Sequence, residues 1–251
     1  MVAPAVHIYM LTEDAGAHSH ATWEALLRRM CRLVDDSCDT QPATFFVEQP
    51  EEGARKTMAG NGWRERRLSH QRLVDFWRVI AEQLEGEKIV VFHVDGDVPW
   101  PLRDTSANVR DVHAIAMRRL HDVLEDHGRT PPEISTRMAF FVPVHPFREV
   151  EAWLFHNVAE LRRICARRSI ALPACAEAWA KEPERLDVEP SPKERMPFHA
   201  ERNRDLAEEA FPAEQIYRLG SSFHGAVEAL KRCAPLRAAL QRTYAAERWQ
   251  S

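Results

Sequence analysis

The chain lacks any long apolar run. None of its stretches approaches the roughly 18 uninterrupted apolar residues that identify a membrane-crossing helix. The first 20 residues contain no lysine or arginine and include Glu13 and Asp14, which is unlike a secretory signal. We therefore expect a cytoplasmic protein with no membrane segment.

Cysteine is scarce, and several common catalytic motifs are missing. The 5 cysteines are scattered and form no Cys-x-x-Cys pair, so neither a disulfide framework nor a four-thiolate zinc site is indicated. The chain also contains no Walker lysine loop, no Gly-rich dinucleotide fingerprint and no Gly-x-Ser-x-Gly elbow. The chain thus lacks the minimal motifs of nucleotide-hydrolysing motors, Rossmann dehydrogenases and serine hydrolases.

A strong positive charge is missing as well. The 34 basic residues stand against 38 acidic ones, for a net charge of -4, whereas nucleic-acid binders usually carry a strongly basic domain. Contact with nucleic acid would need a local basic patch or metal ions that neutralise an acidic site. The basic residues are nearly all arginine, a bias that fits either phosphate binding or the codon usage of a GC-rich genome.

The first part of the chain alternates between strand patterns and helix patterns. The predicted strands cover 6–11, 43–47, 88–94 and 137–144, the predicted helices cover 23–34, 73–84 and 106–127, and 48–62 is predicted to be a surface loop. Pro143 indicates either the end of the fourth strand or a position at the sheet edge. The alternation predicts a three-layer α/β sandwich around a mostly parallel sheet.

From residue 150 onward the pattern changes to short helices. They are predicted at 150–155, 158–167, 174–181, 201–210, 222–232 and 234–248. We therefore divide the chain into an α/β core over 1–157 and a helical C-terminal extension over 158–251 that packs on the core. The polar, proline-containing stretch 183–197 links the later helices to the core.

Acidic residues follow three of the predicted strands. They are Glu13 and Asp14 after the first strand, Asp95 and Asp97 after the third, and Glu149 and Glu151 after the fourth. Ligands of open parallel sheets collect at the carboxyl ends of the strands, so these carboxylates are expected to share one cleft. Because crowded carboxylates repel one another, the simplest stable arrangement holds a hard divalent cation such as Mg²⁺ or Mn²⁺.

Each part of this acidic pattern also has a simpler interpretation. The segment Asp95-Gly96-Asp97 suits a metal clamp because Gly96 leaves room for close approach, but it is also an ordinary turn sequence. Glu149 and Glu151 flank the apolar stripe of a helix start, where glutamate is favoured by the helix dipole alone.

Histidines near the predicted cleft are weaker candidates. His18 and His20 are spaced to bind a transition metal, but such residues on a loop are more often polar surface groups. His93 and His145 border the cleft and are candidate proton shuttles. A structural role for a histidine buried beside a strand end explains their positions equally well.

The acidic segments together resemble the TOPRIM fold of topoisomerase primases and overcoming-lysogenisation-defect nucleases. The resemblance is carried by Thr12-Glu13, Asp95-Gly96-Asp97 and Glu149-x-Glu151-x-Trp153. More closely, the chain resembles small stand-alone TOPRIM-like proteins encoded beside ABC-type ATPases in bacterial anti-phage loci. Pro192-Lys193 and Ser222-Phe223 are similar to their later Pro-Lys segment and terminal Ser-Phe helix.

The resemblance implies a TOPRIM-like sandwich and a set of site residues. Glu13 corresponds to the first-strand glutamate, Asp95 and Asp97 to the metal-binding pair, and Glu149 or Glu151 to a further acidic ligand. Lys193 would neutralise charge on the transferring phosphate, the alternative being a solvated loop lysine. One departure stands out: the usual Glu-Gly is here Glu13-Asp14, so the first-strand ligand is either of these two residues, and catalytic competence is in question.

The function implied is metal-dependent phosphodiester hydrolysis by an effector of anti-phage defence that works with an ABC-type ATPase. The alternative is a catalytically inactive TOPRIM-like subunit that binds and regulates such an ATPase. Neither DNA nor RNA is indicated as the substrate, and a homo-oligomer is compatible with the sequence.

Overall fold

A parallel sheet of four strands organises the part of the chain that the structure describes. The structure is a computed structural model, and it describes residues 6–14, 16, 18–36, 44–59, 61–64, 70–197, 200–208 and 210–248. The strands are β1 (Val6–Thr12), β2 (Phe45–Glu48), β3 (Ile89–His93) and β4 (Phe141–Val144), in the sheet order β2-β1-β3-β4. All four predicted strands are confirmed, with shifted ends; Ala43 of the predicted second strand lies outside the described residues.

Helices form the rest of the fold. Those of the first part are α1 (Ser19–Val34), α2 (Glu52–Ala59), α3 (His70–Glu85), α4 (Ala107–Asp111), α5 (Met117–Asp126) and α6 (Pro131–Met138). Those of the second part are α7 (Glu151–Leu154), α8 (Val158–Arg167), α9 (Ala174–Lys181), α10 (Asn203–Glu208), α11 (Ala213–Arg218), α12 (Ser222–Arg232) and α13 (Ala234–Arg248). The α/β class and the helical C-terminal part are confirmed. Among the described residues, no helix has the length and apolar character to cross a membrane.

Both faces of the sheet are buried, which explains why the strands read as continuous apolar runs. Successive side chains point to opposite faces. Ile8 and Met10 of β1 therefore enter one apolar cluster with α1 and the C-terminal helices, whereas Tyr9 and Leu11 enter another with α2, α3 and α5. The C-terminal helices thus pack directly on the sheet, and the boundary at residue 157 remains a prediction.

The predicted surface loop over 48–62 is wrong, because α2 occupies most of it. Glu52 lies in the first turn, where an acidic side chain favours helix formation. Ala54 and Met58 lie four residues apart on one face and are buried against the sheet. The charged residues between them hid this short apolar face.

The predicted fourth strand is too long, because a helix occupies its first two residues. The helix α6 ends at Met138, and its start carries a capping box in which Glu133 accepts from the Thr130 backbone at 2.8 Å. Pro131 at the first helical position adds to the signal. The predicted helix over 106–127 is also modified, since a π-helical segment, Val112–Ala116, separates α4 from α5.

The edge position indicated by Pro143 is confirmed, because β4 is the last strand of the sheet. Phe140 and Val144 accept backbone hydrogen bonds from β3 at 2.9 and 3.2 Å. Alternate residues of a parallel strand bond the same neighbour, so Phe141 and Pro143 turn their backbone polar groups outward. Proline at such a position removes an exposed donor and protects the edge from pairing with another chain.

Candidate functional site

The candidate site lies where the order of the strands reverses. The chain passes from β1 to β2 on one side and then returns to form β3 on the other side of β1. The crevice at such a reversal is the usual ligand site of open parallel sheets. Glu13 follows β1 and Asp95 follows β3. The backbone N–H of Asp95 donates to Glu13 Oε2 at 2.9 Å. The structure therefore brings these two predicted residues together.

The other strand-end charges lie close enough to change the ionisation of Asp95. Burial raises the pKa of Asp95 well above its ordinary value, and the charges of Asp14, Glu13 and Asp97 raise it further. Lys193 acts in the opposite direction and lowers this pKa. Five of the predicted residues thus share one electrostatic environment in which negative charge dominates.

Lys193 is held at the site by two contacts with the Glu149 carboxylate. Its backbone N–H donates to Glu149 Oε1 at 2.8 Å, and its Nζ lies 2.9 Å from Oε2 of the same carboxylate. These contacts, with the charges of Glu151 and Asp95, raise the pKa of Lys193 although partial burial lowers it. Lys193 is therefore anchored beside the carboxylates, while its side chain remains more than half exposed.

Glu151 is the less neutralised of the two helix-start glutamates. Burial raises its pKa to about 7, and the charges of Glu149 and Asp14 contribute to the rise. Its Oε1 accepts a hydrogen bond from Asn203 at 2.8 Å. Both oxygens of Glu149 contact Lys193, so the structure gives the two glutamates different partners.

Three asparagines that the sequence analysis missed contact the acidic residues. Asn61 donates to Glu13 Oε1 at 3.1 Å, Asn108 donates to Asp97, and Asn203 donates to Glu151. The chain contains only four asparagines, Asn61, Asn108, Asn157 and Asn203. The rarity of asparagine in the chain was thus the one signal in the sequence that could have drawn attention to these residues. A neutral amide satisfies a carboxylate oxygen and leaves its charge in place.

His93 holds Asp95 from the interior of the fold. Its Nε2 lies 3.0 Å from Asp95 Oδ1 and its Nδ1 lies 2.9 Å from the Thr12 hydroxyl. The Trp23 ring packs against the imidazole at 4.2 Å between centroids, and burial lowers the pKa of His93 to about 4. With Asp95 ionised, the neutral ring donates from Nε2 and accepts at Nδ1, which fixes the orientation of the carboxylate.

The backbone around the site adopts unusual conformations. Asn61, Asp97 and Arg148 have φ values of 53°, 57° and 69°, in the left-handed region that is costly for residues other than glycine. The loops that carry them are tied together, since the Arg148 N–H donates to the Val98 carbonyl at 2.9 Å. Backbone strain of this kind concentrates at functional sites.

His18 and His20 do not join the carboxylates through any hydrogen bond in the described part of the chain. His18 is exposed, and the His20 imidazole contacts the Val47 carbonyl at 3.3 Å. Burial lowers the pKa of His20. The packing of His20 against β2 favours the structural interpretation of this pair.

The donor chemistry suits a hard divalent ion, although the ligands are not gathered around one point. Across the residues the structure describes, no three His, Cys, Asp or Glu side chains are grouped so as to hold an ion. The available donors are carboxylate and amide oxygens, which Mg²⁺ and Mn²⁺ prefer. In addition, Asn61 Oδ1 beside Glu13 is buried with no hydrogen-bond partner. A shared ion therefore remains a prediction.

No family model, no curated protein and no solved structure matches the chain. The function proposed for the chain therefore rests on the geometry of the site and on the sequence resemblance.

Proposed function

We propose that the protein is a TOPRIM-like, divalent-metal-dependent nuclease. The observation that carries the proposal is the pairing of Glu13 and Asp95 at the strand reversal, where negative charge is left unneutralised. The chain has arginines in abundance, yet the hydrogen-bond donors at Glu13, Asp97 and Glu151 are neutral amides. Such a site favours a cationic ligand.

Mg²⁺ or Mn²⁺ would be held by Glu13, Asp95 and Asp97, with Glu151 or Glu149 as a further ligand. Such an ion supplies Lewis acidity and lowers the pKa of a bound water. All the residues in this assignment are carboxylates that follow the ends of β1, β3 and β4 in sequence. Glu13-Asp14 replaces the usual Glu-Gly of the resembling family, so Asp14 remains an alternative ligand.

The remaining residues would orient these ligands and the substrate. His93 fixes Asp95 through its 3.0 Å contact, and the Asn61 amide holds Glu13. The Lys193 ammonium is exposed enough to meet a phosphate oxygen while its backbone stays bound to Glu149. A cation in this position would stabilise the charge of a transferring phosphate.

The biological setting follows from the resemblance. We propose an effector of bacterial anti-phage defence that acts with an ABC-type ATPase and cleaves DNA or RNA. The net charge of -4 supports the need for a metal or a basic partner, because few phosphates would otherwise be neutralised.

Metal binding is the first test. MnCl₂ and MgCl₂ are titrated into the full chain while its melting temperature is followed. An ion bound only by the folded state raises this temperature. The Asp95→Asn/Asp97→Asn protein should lose the rise, whereas Asp122→Asn/Glu125→Gln, which removes two exposed acids elsewhere, should keep it. Equal shifts in all three proteins would contradict the proposed site.

Cleavage is the second test, and it separates the enzyme from the regulatory alternative. Supercoiled plasmid and single-stranded RNA are incubated with the protein and Mn²⁺, with and without the proposed ABC-type ATPase partner. The nuclease proposal expects cleavage that Asp95→Asn abolishes. Saturable metal binding without cleavage in either condition would favour the catalytically inactive subunit.

A further inference from the structure

A cavity of about 550 Å³ lies along the outer edge of β4, outside the acidic site. Its walls come from α12 on one side and from the 3₁₀ segment Trp100–Thr105 with α4 on the other. Phe147 lines the cavity and also packs on Gly96, so one ring separates the cavity from the Asp95-Gly96-Asp97 loop. The volume falls within the range of small-molecule sites, about 300–1,000 Å³.

His145 gives this cavity an unsatisfied hydrogen-bond acceptor. Its Nδ1 lies 3.0 Å from the Val94 carbonyl, and because a carbonyl only accepts, Nδ1 carries the proton. Burial lowers the pKa of His145 to about 4, so the ring is neutral at neutral pH. Nε2 is therefore an acceptor, and it is buried without a partner among the described residues. A molecule that reaches this nitrogen from the cavity, which His145 lines, would have to donate a hydrogen bond to it.

Two arginines give the cavity an unneutralised positive charge. Arg103 and Arg232 line it, and neither forms an ion pair with any residue in the described part of the chain. Other arginines are paired: Arg129 with Glu85, for example, and Arg168 with Glu201. Asp104 is the acidic lining residue, and Arg103 also donates from Nη1 to the Trp100 carbonyl at 3.4 Å.

Aromatic side chains give the cavity flat apolar surfaces. Trp100, Phe141 and Phe147 line it, and the Trp100 and Phe147 rings meet edge to face at 5.1 Å. The Arg103 guanidinium lies 4.6 Å from the centre of the Trp100 ring. Aromatic faces next to arginine are the surfaces on which nucleobases stack.

We propose that this cavity binds a nucleotide. The base would lie against Trp100 and the phenyl rings, with a base N–H donating to His145 Nε2. The 5′-phosphate would be bound by Arg103 and Arg232. A free mononucleotide and the phosphorylated end of a nucleic acid strand present the same chemistry. The site uses none of the predicted metal ligands.

The test is calorimetric titration of the full chain with adenosine 5′-monophosphate and with a 5′-phosphorylated DNA oligonucleotide. Arg232→Ala should weaken binding by about tenfold, and Arg232→Lys should recover part of the loss. His145→Phe should weaken binding by about threefold to tenfold. Arg162→Ala, which removes an exposed guanidinium paired with Glu177, should bind as the unmodified chain does.

The outcomes separate the two nucleotide sources and the two sites. Binding of the mononucleotide identifies a small-molecule site, and binding of the oligonucleotide alone identifies a strand end. Failure of both at millimolar concentration, or equal affinity of Arg232→Ala and His145→Phe with the unmodified chain, overturns the proposal. Asp95→Asn should retain the binding, so a failed metal site leaves this result unaffected.

Discussion

Glu160 and Asp95 are both carboxylates with little exposure, and the chain surrounds them differently. Glu160, in α8, is 3% exposed and has one arginine on each oxygen, Arg163 at 3.1 Å and Arg167 at 2.7 Å. Asp95 has a neutral imidazole as its side-chain partner and acidic neighbours.

The difference shows that this chain neutralises a carboxylate with arginine where the group serves packing. Glu13, Asp97 and Glu151 instead keep their charge and have amide partners, and Glu149 is the strand-end acid paired with Lys193. Such an arrangement costs stability in the absence of a ligand, as binding sites commonly do. This contrast supports the proposal that the acidic cluster binds a cation.

The largest loss of stability is expected from displacing the loop that carries Asp95. A Cβ on Gly96 would lie 2.7 Å from Phe147 Cδ1, so Gly96→Ala should lower the free energy of unfolding by roughly 2–3 kcal/mol. Gly53→Ala is the matched control, because its Cβ would meet nothing within 4 Å. Urea unfolding measures both, and wild-type stability of Gly96→Ala would show that the loop is free to move away from Phe147.

A further prediction tests the contribution of the buried ion pairs of Glu160 to stability. Glu160→Ala should lower the free energy of unfolding by about 2 kcal/mol, because it removes two charge-assisted hydrogen bonds from a buried position. Glu177→Ala removes an exposed partner of Arg162 and should change stability by less than about 0.5 kcal/mol. Equal losses in the two variants would remove the distinction between buried and exposed pairs.

A pH dependence is expected from Glu151, whose pKa is raised from 4.5 to about 7. The folded chain keeps a proton that the unfolded chain loses, so this contribution to stability is complete below about pH 4.5 and is lost as the pH rises to about 7. The stability of Glu151→Gln relative to wild type should therefore rise by about 3 kcal/mol across that interval, at roughly 1.4 kcal/mol for each pH unit. Urea unfolding at several pH values measures the difference, and a constant difference would refute the assignment.

The smallest expected change is at Asp95, where a substitution should raise the free energy of unfolding rather than lower it as at Glu160. Asp95→Asn should raise the free energy of unfolding by about 1 kcal/mol in a chelating buffer, because it removes a charge that burial and three acidic neighbours oppose. The amide oxygen still accepts from His93. Adding Mn²⁺ should reverse the order, since only the wild type gains from the ion. Lower stability of Asp95→Asn in chelator would mean that the carboxylate is structural.

The strands and the acidic positions at their ends were predictable from local patterns. Buried parallel strands are continuous apolar runs, and their carboxyl ends lie at one edge of the sheet whatever the order of the strands. The run over 88–94 therefore located Asp95 at the site without knowledge of the fold.

The amide partners and the helix α2 were not predictable in the same way. Asn61, Asn108 and Asn203 come from loops and helix starts far apart in sequence, and only the fold brings each to its carboxylate. The short helix α2 has an apolar face of a few residues within charged sequence, which gives a weak periodic signal. By contrast, the Thr130 and Glu133 capping box was readable and marks the start of α6.

The contact between Thr12 and His93 joins residues 81 positions apart, and this has a consequence for biosynthesis. At about 5–20 residues per second, the ribosome needs on the order of 4–16 s to supply His93 after Thr12. Lys193 is translated still later, so an incomplete nascent chain carries Glu13 without the partners that give it a chemical environment. The contacts that surround these carboxylates therefore form only after most of the polypeptide has been translated.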